Sequence, residues 1–251
     1  MPPPDFLITP QSRRIAYHQA AGAGPGIVFL GGFRSDMTGT KAVYLEQRAL
    51  QAGRSFVRFD YSGHGQSSGA FTDGCIGDWL EDTLAVLDAL TRGPQVIVGS
   101  SMGGWIALLV ARARPDRVAG LVGIAAAPDF TDSLEKAFSP AEQGAMAATG
   151  QVLQPSDYSD VPYVITRRLI EDGRQRRVLT TPLPLPFPVR LLQGTADTDV
   201  PAHVALRLLD HASGPDLRLT LVKGANHRFS SADCLAMIAT YVFDIPPTAK
   251  E

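Results

Sequence analysis

The chain has 251 residues, 45% of them hydrophobic, and a formal net charge of −2. That supply of apolar residues fills a sizeable core, and the near-neutral balance argues against nucleic acid or an anionic membrane surface as a partner. The longest apolar runs, such as VAGLVGIAAAP at 118–128, reach about half the length a bilayer span requires, so no membrane insertion is expected.

The N-terminus, MPPPDFLITP, has neither the basic region nor the apolar region of a secretory signal, and a cytoplasmic protein is expected. Strand-like runs follow at 13–20 and 26–32, bounded by Gly and Pro. A helical pattern over 39–53 sets Ala42, Leu45 and Leu50 on one side. A strand at 55–62 precedes a helix at 76–91, in which Ile76, Leu80, Leu84 and Leu87 recur at spacings of three and four. Next come a strand at 94–101, a helix at 102–117 and a strand at 118–127. The alternation then lapses over about 131–187, where SPAEQGAMAATG and DVPYVITRRLIEDGRQRRVL both read as helical. This stretch predicts a small helical cap above the sheet. A strand at 188–195, a helix at 201–213, a strand at 217–224 and a helix at 231–245 complete the chain. Strand and helix in alternation predict an α/β fold, a mostly parallel central sheet flanked by helices, in one domain spanning 1–251. Cys75 and Cys234 match no metal-ligand spacing and are expected to be reduced thiols.

The stretch IVGSSMGGW at 97–105 lies between a predicted strand and a predicted helix, and Gly99-Ser100-Ser101-Met102-Gly103 fits the G-x-S-x-G pattern. A nucleophile on so tight a turn needs neighbours without bulk two positions either side, and the helix N-terminus beneath it favours developing negative charge. This register makes Ser101 the nucleophile and Ser100 the variable residue. A hydroxyl needs a base, and the base needs an orienting carboxylate. Of five histidines, His18 lies in an early strand, His64 in the turn DYSGHGQSS, and His203 and His211 on a helix. His227, between the last strand and the last helix, is the expected base. Asp197 and Asp199 both follow the penultimate strand. Asp197 is preferred as the acid, since Asp199 is better placed to cap the helix that begins near Pro201. The expected oxyanion donors are the backbone N–H of Met102 and that of Phe33, in the loop where Gly31 and Gly32 permit close approach.

Five arginines, Arg167, Arg168, Arg174, Arg176 and Arg177, crowd the cap segment. They form either a solvated face paired with Glu171 and Asp172 or a rim attracting an anionic part of the substrate. Trp105, Tyr158 and Tyr163 are candidate linings of an acyl pocket, with helix packing and cap anchoring as the alternatives.

LGGF, RFDYSGHGQSSG, VGSSMGGW, GTADTDVP and NHR occur in an order that resembles the α/β-hydrolase superfamily over nearly the whole chain, from about Gly26 to Phe243. GTKA after the oxyanion loop, FDYSG and GSS.GGW resemble its palmitoyl-protein thioesterase and acyl-glucuronide esterase branch. Gly31 stands where many members carry His. The resemblance implies Ser101, Asp197 and His227 as a triad, Phe33 and Met102 as oxyanion donors, and hydrolysis of small-molecule carboxylic esters or thioesters without a cofactor or metal. A monomer or homodimer is expected. A receptor on the same fold that hydrolyses nothing, and a small peptidase, are the alternatives.

Overall fold

The structure, a computed structural model, describes residues 2–155 and 162–246. An antiparallel pair, β1 (Asp5–Ile8) and β2 (Arg14–Ala20), opens the chain, followed by β3 (Ala23–Leu30), α1 (Thr40–Gln51), β4 (Arg54–Phe59) and α2 (Ile76–Leu90). β5 (Gln95–Ser100), α3 (Met102–Ala113) and β6 (Val118–Ile124) form the middle. α4 (Phe130–Ala137), α5 (Pro140–Thr149), β7 (Gln151–Gln154), β8 (Tyr163–Thr166) and α6 (Arg167–Gln175) come next. The chain ends with β9 (Leu183–Pro184), β10 (Val189–Gly194), α7 (Ala202–His211), β11 (Ala212–Ser213), β12 (Leu217–Val222) and α8 (Ala232–Phe243).

Eight strands form the central sheet in the order β1-β2-β4-β3-β5-β6-β10-β12. Every pairing from β4 to β12 is parallel, and β2 meets β4 antiparallel. The inner strands are buried on both faces, which is why they read as unbroken apolar runs. Their side chains still alternate between two cores. Ile27, Phe29, Val96 and Val98 pack with Ala42, Leu45 and Ala49 of α1 and with Ile238 and Val242 of α8. Val28, Leu30 and Ile97 face the opposite way, toward Trp79 and Leu87 of α2 and Trp105 and Leu109 of α3. Both cysteines are buried and unpaired.

Three details differ from the sequence expectation. β1 was not expected: it is a four-residue edge strand, exposed along most of its length, and carries too little apolar periodicity to read. Leu50 does not join Ala42 and Leu45, because the buried stripe of α1 runs through Ala49 and leaves Leu50 58% exposed. The segment between β6 and β10 is not wholly helical. Tyr163–Thr166 pairs antiparallel with Gln151–Gln154, and α6 starts only at Arg167, where Thr166 accepts the Leu169 N–H at 3.2 Å. The β-branched pair Val164-Ile165 favours the ribbon.

The arginines of this segment hold it to itself and to α2. Arg168 pairs with Asp78 of α2 at 2.8 Å and donates to the Asp73 carbonyl. Arg177 pairs with Asp132 at 2.8 Å, Arg174 pairs with Glu135, and Arg176 pairs with Asp172 at 3.3 Å. Arg167 donates to the carbonyls of Met146 and Ala147 at 2.6 and 2.9 Å, at the C-terminal end of α5 where the helix carbonyls favour a cation. Each guanidinium is thus engaged with the protein, with Asp172 one of the acidic partners expected, which favours the paired, solvated face over a rim for anionic substrate.

Candidate active site

The turn after β5 is built from glycine out of steric necessity. A Cβ on Gly99 would stand 2.3 Å from the Gly103 carbonyl oxygen, and one on Gly103 would stand 2.2 Å from that of Leu30. One on Gly104 would meet the Ala126 methyl at 2.5 Å. Packed this closely, the strand, turn and helix force Ser101 to φ 55°, ψ −119°, a conformation L-residues rarely adopt. Its N–H donates to the Ile124 carbonyl at 2.9 Å, and its own carbonyl accepts from Gly104 and Ala127. The side chain therefore projects from the C-terminal edge of the sheet above the first turn of α3, and Ser100 is the buried neighbour.

With the imidazole proton on Nδ1, the Ser101 hydroxyl donates to His227 Nε2 at 3.0 Å and His227 Nδ1 donates to Asp197 Oδ2 at 2.9 Å. Asp197 follows β10, with its side chain wholly buried. Burial pushes this carboxyl pKa up, but hydrogen bonds from His227, the Val200 N–H and Gln193, together with the His227 charge, outweigh it and hold the group below the usual carboxylate range. Its Oδ1 accepts the N–H groups of Asp199 and Val200 at 3.0 and 2.8 Å, and Gln193 Nε2 reaches Oδ2 at 2.9 Å. Asp199 lies on the other side of the ring, its Oδ2 4.0 Å from Nε2.

Two anchors of the His227 loop were not foreseen. The Phe229 ring is buried in the core beneath the sheet, at a backbone φ of 47°. Lys41 of α1 donates to the Arg228 carbonyl at 2.6 Å. Burial and the nearby Arg228 bring the Lys41 pKa down to about 8. The signal for Lys41 was the GTKA stretch, which by itself names no contact.

The Gly31–Ser35 loop lies beside Ser101: a Cβ on Gly32 would sit 3.4 Å from the Ser101 Cβ. Met102, the first residue of α3, has an N–H with no partner inside the helix. The Phe33 ring is the hub of an aromatic cluster, 4.8 Å from Phe71, 5.7 Å from both Phe130 and Tyr163, and 6.2 Å from Trp79. Trp105 requires a correction. It has no exposed surface, its Nε1 donates to the Arg176 carbonyl at 3.1 Å, and its ring packs on Phe130, so it backs the aromatic cluster and lines no pocket. Tyr158 lies outside the described residues. Among the described residues, no group of three His, Cys, Asp or Glu side chains is placed to hold a metal, and no helix is long and apolar enough to cross a membrane.

His64 is 4% exposed, and burial, aided by the Arg34 charge and opposed by the Ser62 carbonyl, lowers its pKa to about 4. The unfolded chain, with a histidine pKa near 6.5, binds a proton that the folded chain refuses between these two values. Stability therefore falls as pH drops from about 6.5 toward 4. His64 alone is expected to remove about 2 kcal/mol between pH 7 and pH 5. Urea unfolding at the two pH values, with His64→Gln in parallel, measures it, and an equal pH loss in both proteins would refute it.

A model of the alpha/beta hydrolase fold matches residues 27–163. The rat mitochondrial palmitoyl-protein thioesterase ABHD10 is 38% identical over 237 residues, which are 94% of this chain and 80% of the relative. A putative hydrolase from Agrobacterium vitis S4, known from a crystal structure, superposes with a TM-score of 0.93 at 41% identity, covering 96% of this chain and 98% of its own. Mouse alpha/beta hydrolase domain-containing protein 10 superposes with a TM-score of 0.89 at 35% identity, covering 96% and 97%. The thioesterase relatives are named as mitochondrial proteins, which contradicts the cytoplasmic placement expected from the N-terminus. In fold, order of motifs and extent of identity, this chain belongs to the α/β-hydrolase family, on the branch that holds the ABHD10 thioesterases.

Proposed function

We propose that the protein hydrolyses acyl esters and thioesters through Ser101, His227 and Asp197, and that an acyl-enzyme forms on Ser101. The observation that carries this proposal is the continuous hydrogen-bonded relay from the strained serine through the imidazole to a buried carboxylate. The family placement and the relatives named as palmitoyl-protein thioesterases support the same class of reaction. Ser101 Oγ attacks the acyl carbonyl carbon as its proton passes to His227 Nε2. The N–H groups of Met102 and Phe33 hold the resulting oxyanion. Collapse expels the alcohol or thiol, which takes the proton from Nε2. Water then repeats the sequence on the acyl-enzyme, releasing the carboxylic acid and returning the proton to Ser101. Asp197, kept ionised, holds the ring with Nε2 toward the serine and stabilises the imidazolium.

The half-buried rings of Phe33, Phe71, Phe130 and Tyr163 form the apolar wall next to the oxyanion loop, and an acyl chain is their complement. Each methylene buried there is worth about 0.8 kcal/mol. Octanoyl and palmitoyl p-nitrophenyl esters and thioesters are therefore expected to exceed the acetyl compounds in kcat/KM by at least tenfold, with the matching amides turned over far more slowly. Steady-state kinetics on this series tests the proposal. Tight binding of acyl compounds with no turnover of any of them would favour a receptor instead.

A further inference from the structure

The FDYSGHGQSSG stretch after β4 takes no part in the proton relay, yet it grips the loop after β3 at two points. Asp60 Oδ1 accepts the Met37 N–H at 2.6 Å, and Asp60 Oδ2 accepts that of Gln66 at 2.8 Å. His64 Nε2 accepts the Arg34 N–H at 3.3 Å, and its Nδ1 donates to the Ser62 carbonyl at 3.2 Å. Ser62 is fixed in turn. Its N–H and hydroxyl both donate to Asp82 Oδ2 at 2.9 and 2.7 Å, and its carbonyl also accepts Trp79 Nε1–H at 3.0 Å. Asp82, with no exposed surface, is clamped by Arg13 Nε at 2.6 Å. The rings of Tyr61, Phe71 and Trp79 enclose the imidazole with centroids 5.1–5.5 Å away. The ring cannot turn, so the Arg34 amide meets an acceptor at a fixed place.

That amide belongs to a strained residue. Ser35 N–H donates to the Gly32 carbonyl at 3.1 Å, closing a four-residue turn with Phe33 and Arg34 at its centre. Arg34 has φ 55°, at the turn position where glycine is the usual occupant. An arginine holds that conformation only when its surroundings impose it. The same turn carries the Phe33 N–H and touches Ser101 through Gly32.

We propose that His64 is a positioning residue of the hydrolytic site: by accepting the Arg34 N–H it locks the Gly32–Ser35 turn in the conformation that aims the Phe33 N–H at the oxyanion. This inference rests on the function proposed above. The imidazole is suited to the task because it is neutral at the pH of turnover, so Nε2 is an acceptor and Nδ1 a donor.

The test compares His64→Leu, His64→Gln and Arg34→Gly with the unaltered protein. Leucine keeps the bulk and removes the acceptor; the glutamine amide oxygen reaches the place of Nε2. His64→Leu is expected to lower kcat by roughly 10–100-fold, a part of what deleting an oxyanion donor costs, with KM within about twofold. Its affinity for a trifluoromethyl ketone, whose adduct carries the oxyanion, should fall by the same factor as kcat. His64→Gln should recover kcat to within about threefold of the unaltered protein. In an Arg34→Gly background, where glycine adopts the turn unaided, the leucine substitution should cost markedly less. A folded His64→Leu protein with unaltered kcat would overturn the proposal. So would a glutamine variant as impaired as the leucine one, or an equal leucine effect with Gly at position 34. Should His64→Leu not fold, His64→Met, which also fills the space without a strong acceptor, takes its place on the same criteria. Labelling of Ser101 by a fluorophosphonate separates the two readings: its absence defeats the hydrolytic assignment, whereas labelling with normal turnover in His64→Leu defeats only the role of His64.

Discussion

Replacing Ser101 with alanine is expected to lower kcat for any ester substrate by about 10⁶-fold, to the level that binding and oxyanion contacts alone provide. The same change should leave the fold intact or firmer, since alanine loses only one hydrogen bond at the surface of the turn. Ser100→Ala should retain most of the activity, because that side chain lies inside the sheet and not above it. A fluorophosphonate probe followed by peptide mass analysis reads out the site directly, and an adduct on Ser100 would refute the register. His227→Ala is expected to match the Ser101→Ala loss, and combining the two should add little, because the pair acts as one unit.

Asp197→Asn is expected to cost about 10⁴-fold in kcat with little change in KM. The loss follows from polarity. An asparagine amide facing Nδ1 favours the tautomer with the proton on Nε2, which then cannot accept from Ser101. The two backbone N–H groups and the Gln193 amide that now converge on Asp197 are all donors, so they favour a negative charge at this point. Asp199→Asn should cost less than about tenfold. Its carboxylate stands 4.0 Å from Nε2, on the side away from the Asp197 bond, and does not set the tautomer. Measuring both variants on one ester at saturating concentration discriminates the carboxylates, and a larger loss at Asp199 would reverse the assignment.

The parallel core was legible because strands buried on both faces spell out apolar runs, and the helices between them repeat apolar residues at three and four. β1 and the β7–β8 ribbon were not. Edge strands and short ribbons gain most of their stability from the strand beside them, and no pattern inside PYVIT announces the partner at Gln151–Gln154. At the site, Ser101, Asp197 and His227 could be singled out because steric demand and chain order constrain them, and they stand in one hydrogen-bonded row. The arginines of this segment left two readings open because charge in a sequence carries no address: Arg168 and Asp78 are ninety positions apart and meet only in three dimensions. The same holds for Lys41 and His64, whose partners are backbone atoms far along the chain.

The hydrogen-bonding pattern of the sheet gives the site an uneven mechanical footing. The turn that carries Ser101 rises from β5, which is bonded on both sides, whereas His227 hangs from β12, the last strand, bonded only to β10. An outermost strand with no fully buried residue frays at a lower free energy than the layers behind it. The temperature ceiling for turnover is therefore expected to follow the adhesion of this margin, and substitutions that glue β12 and α8 down are expected to extend the working range more than further consolidation of the buried interior.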